Sequence, residues 1–392
     1  MTSEQLQALD QAHVCHTYAR FNLCVDHGKG ATCYDPEGKA YVDFSSGIGV
    51  NSLGFCDEDW VRAVTAQAGK VQHISNLFYT EPCAVLAQLL CQRTGMEKVF
   101  FCNSGAEANE GAIKTARKYS FDKYGRGRQE IIALENSFHG RTMATLSATG
   151  QAVYHNFFFP FVEDFTFVEA GNLAQLEAAV GEKTCAVMLE LVQGEGGVIA
   201  LDPDYVRAVE QLCRKKDLLL VVDEVQTGVG RTGKFLACEH YGIHPDVVTI
   251  AKGIGAGLPL GAVLFGEKTA SVLGYGQHGT TFGGNPVACA GGRVVLEKLD
   301  EAQLALVREK AQYLREKLMQ LPHVAAVTGL GMMIGIELAD GKEAKKVVEL
   351  AIEEGVIPLT AKSKVRLLPP LTITYAELDQ GLEALARALA RA

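Results

Sequence analysis

The apolar run Leu218-Leu-Leu-Val-Val222 ends on Asp223-Glu-Val-Gln226. A short run with no polar alternation predicts a strand buried on both faces, as in a parallel sheet covered by helices. Such a strand delivers Asp223 from its C-terminal end into a water-poor place. A carboxylate there needs a cationic partner or several donors, or it takes up a proton. A protonated ring nitrogen of a cofactor is one such partner, and a structural ion pair is another.

Working outward, similar runs recur at Lys98–Cys102, Glu130–Leu134, Cys185–Leu191, Val247–Ile250 and Ala262–Phe265. Helical periodicity falls between most of them, at Ala106–Tyr119, Leu173–Val180 and Tyr205–Lys215. The alternation predicts an α/β fold with a mostly parallel central sheet and helices on both faces. Before it come two strands, Ala31–Asp35 and Lys39–Phe44, joined at the turn Asp35-Pro-Glu-Gly38, and helices over Asp59–Ile74 and Pro82–Arg93. After it come helices over Asn285–Leu299 and Glu301–Leu321. Strands at Val324–Thr328 and Gly335–Leu338, a helix over Ala344–Glu353, strands at Val356–Leu359 and Val365–Leu367, and a helix over Ala376–Ala390 complete the chain. We expect a large domain over residues 60–300 and a smaller α+β domain over 301–392. The segment 1–59 is expected to pack with the smaller one.

Composition narrows the class. The 392 residues carry a formal charge of −9 with no basic block, which argues against nucleic acid or an acidic membrane as partner. No apolar run reaches the roughly 18 residues of a membrane helix. The polar, acidic start Met1–Asp10 does not read as a signal peptide, so a cytoplasmic location is expected. The 11 cysteines form no C-x-x-C pair, which speaks against a zinc site or a disulfide framework. Glycine is abundant at 41 residues, without the three-residue period of collagen.

Further polar or glycine-rich clusters follow strand ends, where open parallel sheets bind ligands. Asn103-Ser-Gly-Ala-Glu-Ala-Asn-Glu110 opens a helix, so its backbone N–H groups can take a phosphate, or it is a plain turn capped by Ser104. Ile250-Ala-Lys-Gly-Ile-Gly-Ala-Gly-Leu-Pro259 places Lys252 after an apolar strand, as a phosphate ligand or as an amine for Schiff-base chemistry. Ser137-Phe-His-Gly-Arg-Thr142 could set the Phe138 ring over a flat ligand and the Arg141 guanidinium on a carboxylate. His139 there reads more simply as a satisfied, partly buried histidine than as a catalyst. His278-Gly-Thr-Thr-Phe-Gly-Gly-Asn-Pro286 is a second anion site or a capped turn.

In this order, together with Gln193-Gly-Glu-Gly-Gly197, Asp223–Gly233 and Val365-Arg-Leu-Leu-Pro-Pro370, the clusters resemble those of the subgroup III pyridoxal-phosphate-dependent aminotransferases. The match is close to the branch that acts on acetylornithine and runs from about Tyr34 to Pro370. The resemblance implies the fold type I transferase architecture, pyridoxal 5′-phosphate as cofactor and a homodimer. It implies that Lys252 holds the cofactor and moves the proton, while Asp223 keeps the pyridine nitrogen protonated. Phe138 and Val225 would flank the ring, Glu224 would belong to the cofactor-binding stretch, and Gln226 would sit near the phenolic oxygen. Gly105 and Ala106 would donate to the phosphate, and Thr281 would reach the phosphate of the other subunit's cofactor.

The resemblance also implies the substrates, namely N2-acetylornithine, 2-oxoglutarate and glutamate, in a ping-pong step of arginine biosynthesis. Arg366 would receive an α-carboxylate and Arg141 the distant one, with Thr280 close to the substrate. Glu195 would pair with Arg366 while an ω-amine donor is bound, because an unpaired buried guanidinium is costly. Rival donors are succinylornithine, succinyldiaminopimelate, ornithine and 4-aminobutyrate; an aminomutase or a non-catalytic binder would use the same fold. Two places depart from the family pattern. Gly54-Phe-Cys-Asp-Glu58 replaces a usual G-H-x-H-P stretch, which puts local substrate-entrance contacts in question. No tyrosine stands near Gly47, which disfavours free ornithine.

Overall fold

A computed structural model describes all 392 residues. Its centre is a seven-stranded sheet in the order Lys98–Cys102, Gly261–Phe265, Val247–Ile250, Leu219–Asp223, Thr184–Leu189, Glu130–Leu134, Phe165–Val168. The pairings from Val247–Ile250 through to Phe165–Val168 are parallel. Gly261–Phe265 runs antiparallel to both its neighbours. Its connection from Val247–Ile250 is a loop too short to hold a crossover helix, so the chain must return antiparallel. The central strands Thr184–Leu189 and Leu219–Asp223 are buried at every position, as their unbroken apolar runs require.

The covering helices start where the sequence supplies caps. Ser104 caps Gly105–Tyr124, and Asp202 followed by Pro203 starts Pro203–Lys216. The helix expected to reach Ile74 stops at Ala68, where Gly69 caps it. The last helix, Tyr375–Arg391, opens on a Thr374–Glu377 capping box and buries Leu378, Leu382, Leu385 and Leu389 along one face.

The N-terminal hairpin joins the C-terminal part of the chain. Ala40–Asp43 pairs with Thr32–Tyr34 on one side and, in parallel, with Val356–Ile357 on the other. The strand expected over Val356–Leu359 is therefore two strands. Pro358 carries no N–H for a ladder, and beyond it Leu359–Ala361 leaves that sheet to pair with Lys364–Leu367. Lys364–Leu367 in turn pairs with Met333–Leu338, so Arg366 lies inside a four-stranded antiparallel sheet. No helix is long and apolar enough to cross a membrane.

The five strands ending at Cys102, Leu134, Leu189, Asp223 and Ile250 point the same way. Their C-terminal ends meet along one edge of the sheet, the crevice in which such folds bind ligands.

Candidate active site

That edge holds a cavity of about 480 Å³. Asp223 forms part of its wall and is only 4% exposed. Its Oδ2 accepts from Asn109 Nδ2 at 2.7 Å and faces His139 Nδ1 at 2.8 Å, while Oδ1 accepts from the Val225 N–H at 2.9 Å. Asn109 is itself fixed, since its Oδ1 accepts from Thr249 Oγ1 at 2.8 Å and its Nδ2 also donates to the His139 carbonyl. The strand end supplies the carboxyl and, two residues on, the Val225 N–H, while the Gly105–Tyr124 helix and the 137–140 loop supply the Asn109 and His139 partners. A buried carboxyl with these polar partners is placed to face a cation.

Lys252 lies two residues past the neighbouring strand and lines the same cavity. Its backbone is in the left-handed region at φ 48°, a conformation an L-residue holds only where surrounding structure enforces it. Burial lowers the pKa of its amine, opposed by the charges of Asp223 and Glu195. The neutral amine is the nucleophilic form. Glu190 follows the strand Thr184–Leu189 and also faces the cavity. Burial, and then the charge on Asp223, raises its carboxyl well above the usual carboxylate range. The N–H of Phe138 donates to its Oε2 at 2.9 Å.

Beside these groups, the Gly105–Tyr124 helix begins. Ser104 Oγ accepts from the Glu107 N–H at 3.1 Å, and Gly105 and Ala106, in the first turn, border the cavity with no intrahelical acceptor for their N–H groups. A Cβ on Gly105 would stand 2.5 Å from Val225 Cγ1, so only glycine lets the helix end and the Val225 side chain share that space.

Opposite, Arg366 is 3% exposed, and its Nη1 donates to Glu195 Oε1 at 2.6 Å. Gln226 Oε1 lies 3.4 Å from the same Nη1. A Cβ on Gly194 would fall 2.0 Å from Gln226 Oε1, which explains a glycine next to Glu195. Arg141 is exposed on the cavity wall, its guanidinium 4.3 Å from the Tyr154 ring centroid and 5.6 Å from that of Phe138.

Among the residues singled out from sequence, Gly105, Ala106, Phe138, Arg141, Glu195, Asp223, Val225, Gln226 and Lys252 all line this one cavity, and Arg366 joins it through Glu195. Glu224 does not line the cavity. Its carboxylate turns away and accepts from Thr227 Oγ1 and the Ala237 and Cys238 N–H groups, because the buried loop there needs an acceptor. Thr280 and Thr281 stand outside the cavity of their own chain. The Thr280 hydroxyl accepts from Asn103 Nδ2 at 3.2 Å, and Thr281 is exposed. His139 is buried, and its Nδ1 lies 2.8 Å from Asp223 Oδ2. Sequence reasoning missed Asn109, Glu190, Tyr154 and Thr249. A lone glutamate inside the apolar run Cys185–Leu191 was the available signal for Glu190.

A buried amine whose pKa is lowered, sharing a cavity with a buried carboxyl and a helix end open to phosphate, suits covalent chemistry on amines with a phosphorylated cofactor. Fold and cavity together thus define an α/β enzyme of amino-group chemistry. The chain belongs to the class-III aminotransferases, whose family model matches residues 14–389. It is 52% identical over 390 residues to the acetylornithine aminotransferase of Haemophilus ducreyi, covering 99% of both chains. It is 45% identical over 382 residues to that of Caldanaerobacter subterraneus, covering 96% of this chain and 97% of the relative. Among solved structures, the ornithine aminotransferase of Toxoplasma gondii superposes with a TM-score of 0.95 at 31% identity, over 100% of this chain and 96% of that one. The N-acetylornithine aminotransferase of Stenotrophomonas maltophilia gives a TM-score of 0.85 at 34% identity, over 98% of each.

Proposed function

We propose that the protein transfers the δ-amino group of N2-acetylornithine to 2-oxoglutarate, giving N-acetylglutamate 5-semialdehyde and glutamate, a step of arginine biosynthesis. Its cofactor in this reading is pyridoxal 5′-phosphate. The observation that carries the substrate pair is the 2.6 Å Arg366–Glu195 contact beside Lys252. A guanidinium with a removable carboxylate partner serves a donor that lacks an α-carboxylate at its reacting carbon and an acceptor that has one.

The cavity fits the cofactor. Free N–H groups at Gly105 and Ala106 suit its phosphate, and Asp223, with these polar partners already, suits its protonated ring nitrogen. Phe138 and Val225 would cover the ring faces, and Gln226 would meet the phenolic oxygen. When bound, this group supplies an aldehyde that links reversibly to amines and a ring that takes up electron density. Lys252 would hold it through Nζ. Freed when the substrate's amine takes its place, the same Nζ would take the proton from the donor's amine-bearing carbon in one half of the cycle and deliver one to the acceptor's carbon in the other. Arg141 would receive the carboxylate distant from the reacting carbon in both substrates. Arg366 would receive the α-carboxylate of glutamate or 2-oxoglutarate once Glu195 moves aside. Thr281 of a second copy would complete the phosphate site, with Thr280 near the substrate, which makes a homodimer the active unit.

Values of kcat/KM for N2-acetylornithine, succinylornithine, succinyldiaminopimelate, ornithine and 4-aminobutyrate, each with 2-oxoglutarate, test the assignment. N2-acetylornithine is expected at or near the top. A value more than about tenfold below any rival would overturn the acyl assignment and leave the amino-transfer reading in place.

A further inference from the structure

Arg141 differs from the other charged groups of the cavity in how it is held. No carboxylate or carbonyl accepts from its guanidinium; its contacts are aromatic faces, 4.3 Å to the Tyr154 ring and 5.6 Å to Phe138. The two rings pack edge to face, with centroids 5.8 Å apart and planes at 72°. A guanidinium stacked on a ring keeps its in-plane N–H donors free, and those are the ones a carboxylate engages in pairs. Tyr154 is fixed in turn. Its N–H donates to the Gln151 carbonyl at 3.0 Å, and Gln151 Nε2 donates to the Ser137 carbonyl at 3.0 Å. The Gly150 N–H donates to Ser137 Oγ, again at 3.0 Å. The Tyr154 backbone is thereby tied to the loop that carries Phe138 and Arg141, and its ring packs on that of Phe138.

We propose that Tyr154 is a positioning residue that holds Arg141 in the orientation that receives the distant carboxylate of both substrates. The inference rests on the reading of Arg141 given above. An exposed arginine without an anionic partner samples many rotamers, and each is an ordering cost when ligand binds. A ring stacked on one face removes most of that freedom while leaving the charge available. Tyr154 therefore acts on carboxylate recognition and not on proton transfer at Lys252.

The test compares N2-acetylornithine with N-acetylputrescine, the same donor without its carboxylate, in the wild-type holoenzyme and in Tyr154→Ala, Tyr154→Leu, Tyr154→Phe and Arg141→Ala. The readout is the ratio of kcat/KM for the two donors, which cancels losses in folding or cofactor content. Tyr154→Ala and Tyr154→Leu are expected to lower the ratio about tenfold, through the KM of N2-acetylornithine. Tyr154→Phe, which keeps the ring, is expected to restore most of it, and the KM for 2-oxoglutarate is expected to follow the same order. A wild-type ratio in Tyr154→Ala and Tyr154→Leu, with the ratio lost in Arg141→Ala, would overturn the role of Tyr154 alone. A wild-type ratio in Arg141→Ala would instead remove the underlying assignment of Arg141.

Discussion

In the proposed cycle Arg366 serves two substrates only if its partner can leave, and the more exposed Glu195 is placed for that. The arginine is 3% exposed, whereas the Glu195 side chain is 27% exposed and sits in a glycine-flanked loop facing the cavity. Replacing Glu195 by glutamine keeps the volume and removes the charge, leaving Arg366 open to an α-carboxylate throughout the cycle. Glu195→Gln is therefore expected to raise kcat/KM for glutamate relative to N2-acetylornithine by about tenfold, on the scale of a charge-assisted hydrogen bond. Half-reactions followed with each donor separately give that ratio, and an unchanged ratio would sink the switch. The same scale shows why part of the site escaped the sequence. Asp223 and Lys252 stand out because each follows an apolar strand, but Asn109 sits in a helix and meets Asp223 only once helix and sheet have packed. Tyr154 was invisible for a related reason, being one aromatic in a loop whose relation to Arg141 depends on hydrogen bonds 14 residues apart in the chain.

At the scale of elements, the Gly105–Tyr124 helix does most to shape the site, since it offers N–H groups to an anion at one end and Asn109 to Asp223 one turn later. Its start tolerates no side chain at Gly105, where a Cβ would stand 2.5 Å from Val225 Cγ1. Gly105→Ala must displace the cavity-lining Val225 and is expected to cost about 1–3 kcal/mol as an overpacking change. It is also expected to release the cofactor faster. Thermal unfolding and dialysis of the holoenzyme measure the two effects, and wild-type values for both would contradict the account. The buried strands were legible in the sequence because hydrophobic runs of that length in an α/β alternation have few other uses. Phe165–Val168 was not, for it is a short edge strand with three half-buried residues and no run to mark it. The helix Ser3–His13 buries none of its residues, so no apolar stripe revealed it; its Thr2–Gln5 capping box was the only local signal. The split at Pro358 follows from proline chemistry, but which sheet each half would join depends on partners far away in the chain.

Across the whole molecule, the site is assembled from parts that the proposed division at residues 60 and 300 would assign to different domains. Glu195 comes from the larger part and Arg366 from the antiparallel sheet of the smaller one, so the packing of the two sets the ion pair. Arg231, fully buried, donates to the Met332 carbonyl at 3.3 Å and to that of Pro369, tying the Asp223–Gly233 stretch to the strand region that bears Arg366. Outside the cavity, Leu77, Phe78 and Tyr79 are exposed at 86%, 62% and 105%, near Phe282 at 60% and the Thr281 loop. Asn76 joins the two segments by donating to the Thr280 and Gly283 carbonyls. An apolar ridge of this kind beside a residue assigned to a partner's phosphate site supports the proposed homodimer. Sedimentation is expected to give the mass of two chains, and a fully active monomer would contradict it.

The central claim is that one cavity takes an amino group from N2-acetylornithine, keeps it, and then gives it to 2-oxoglutarate. Titrating the holoenzyme with N2-acetylornithine in the absence of any keto acid tests this most directly. The expected result is one burst of N-acetylglutamate 5-semialdehyde, about one equivalent per subunit, with a single change in the cofactor's absorbance that 2-oxoglutarate then reverses. No aldehyde, or continued turnover without 2-oxoglutarate, would contradict it.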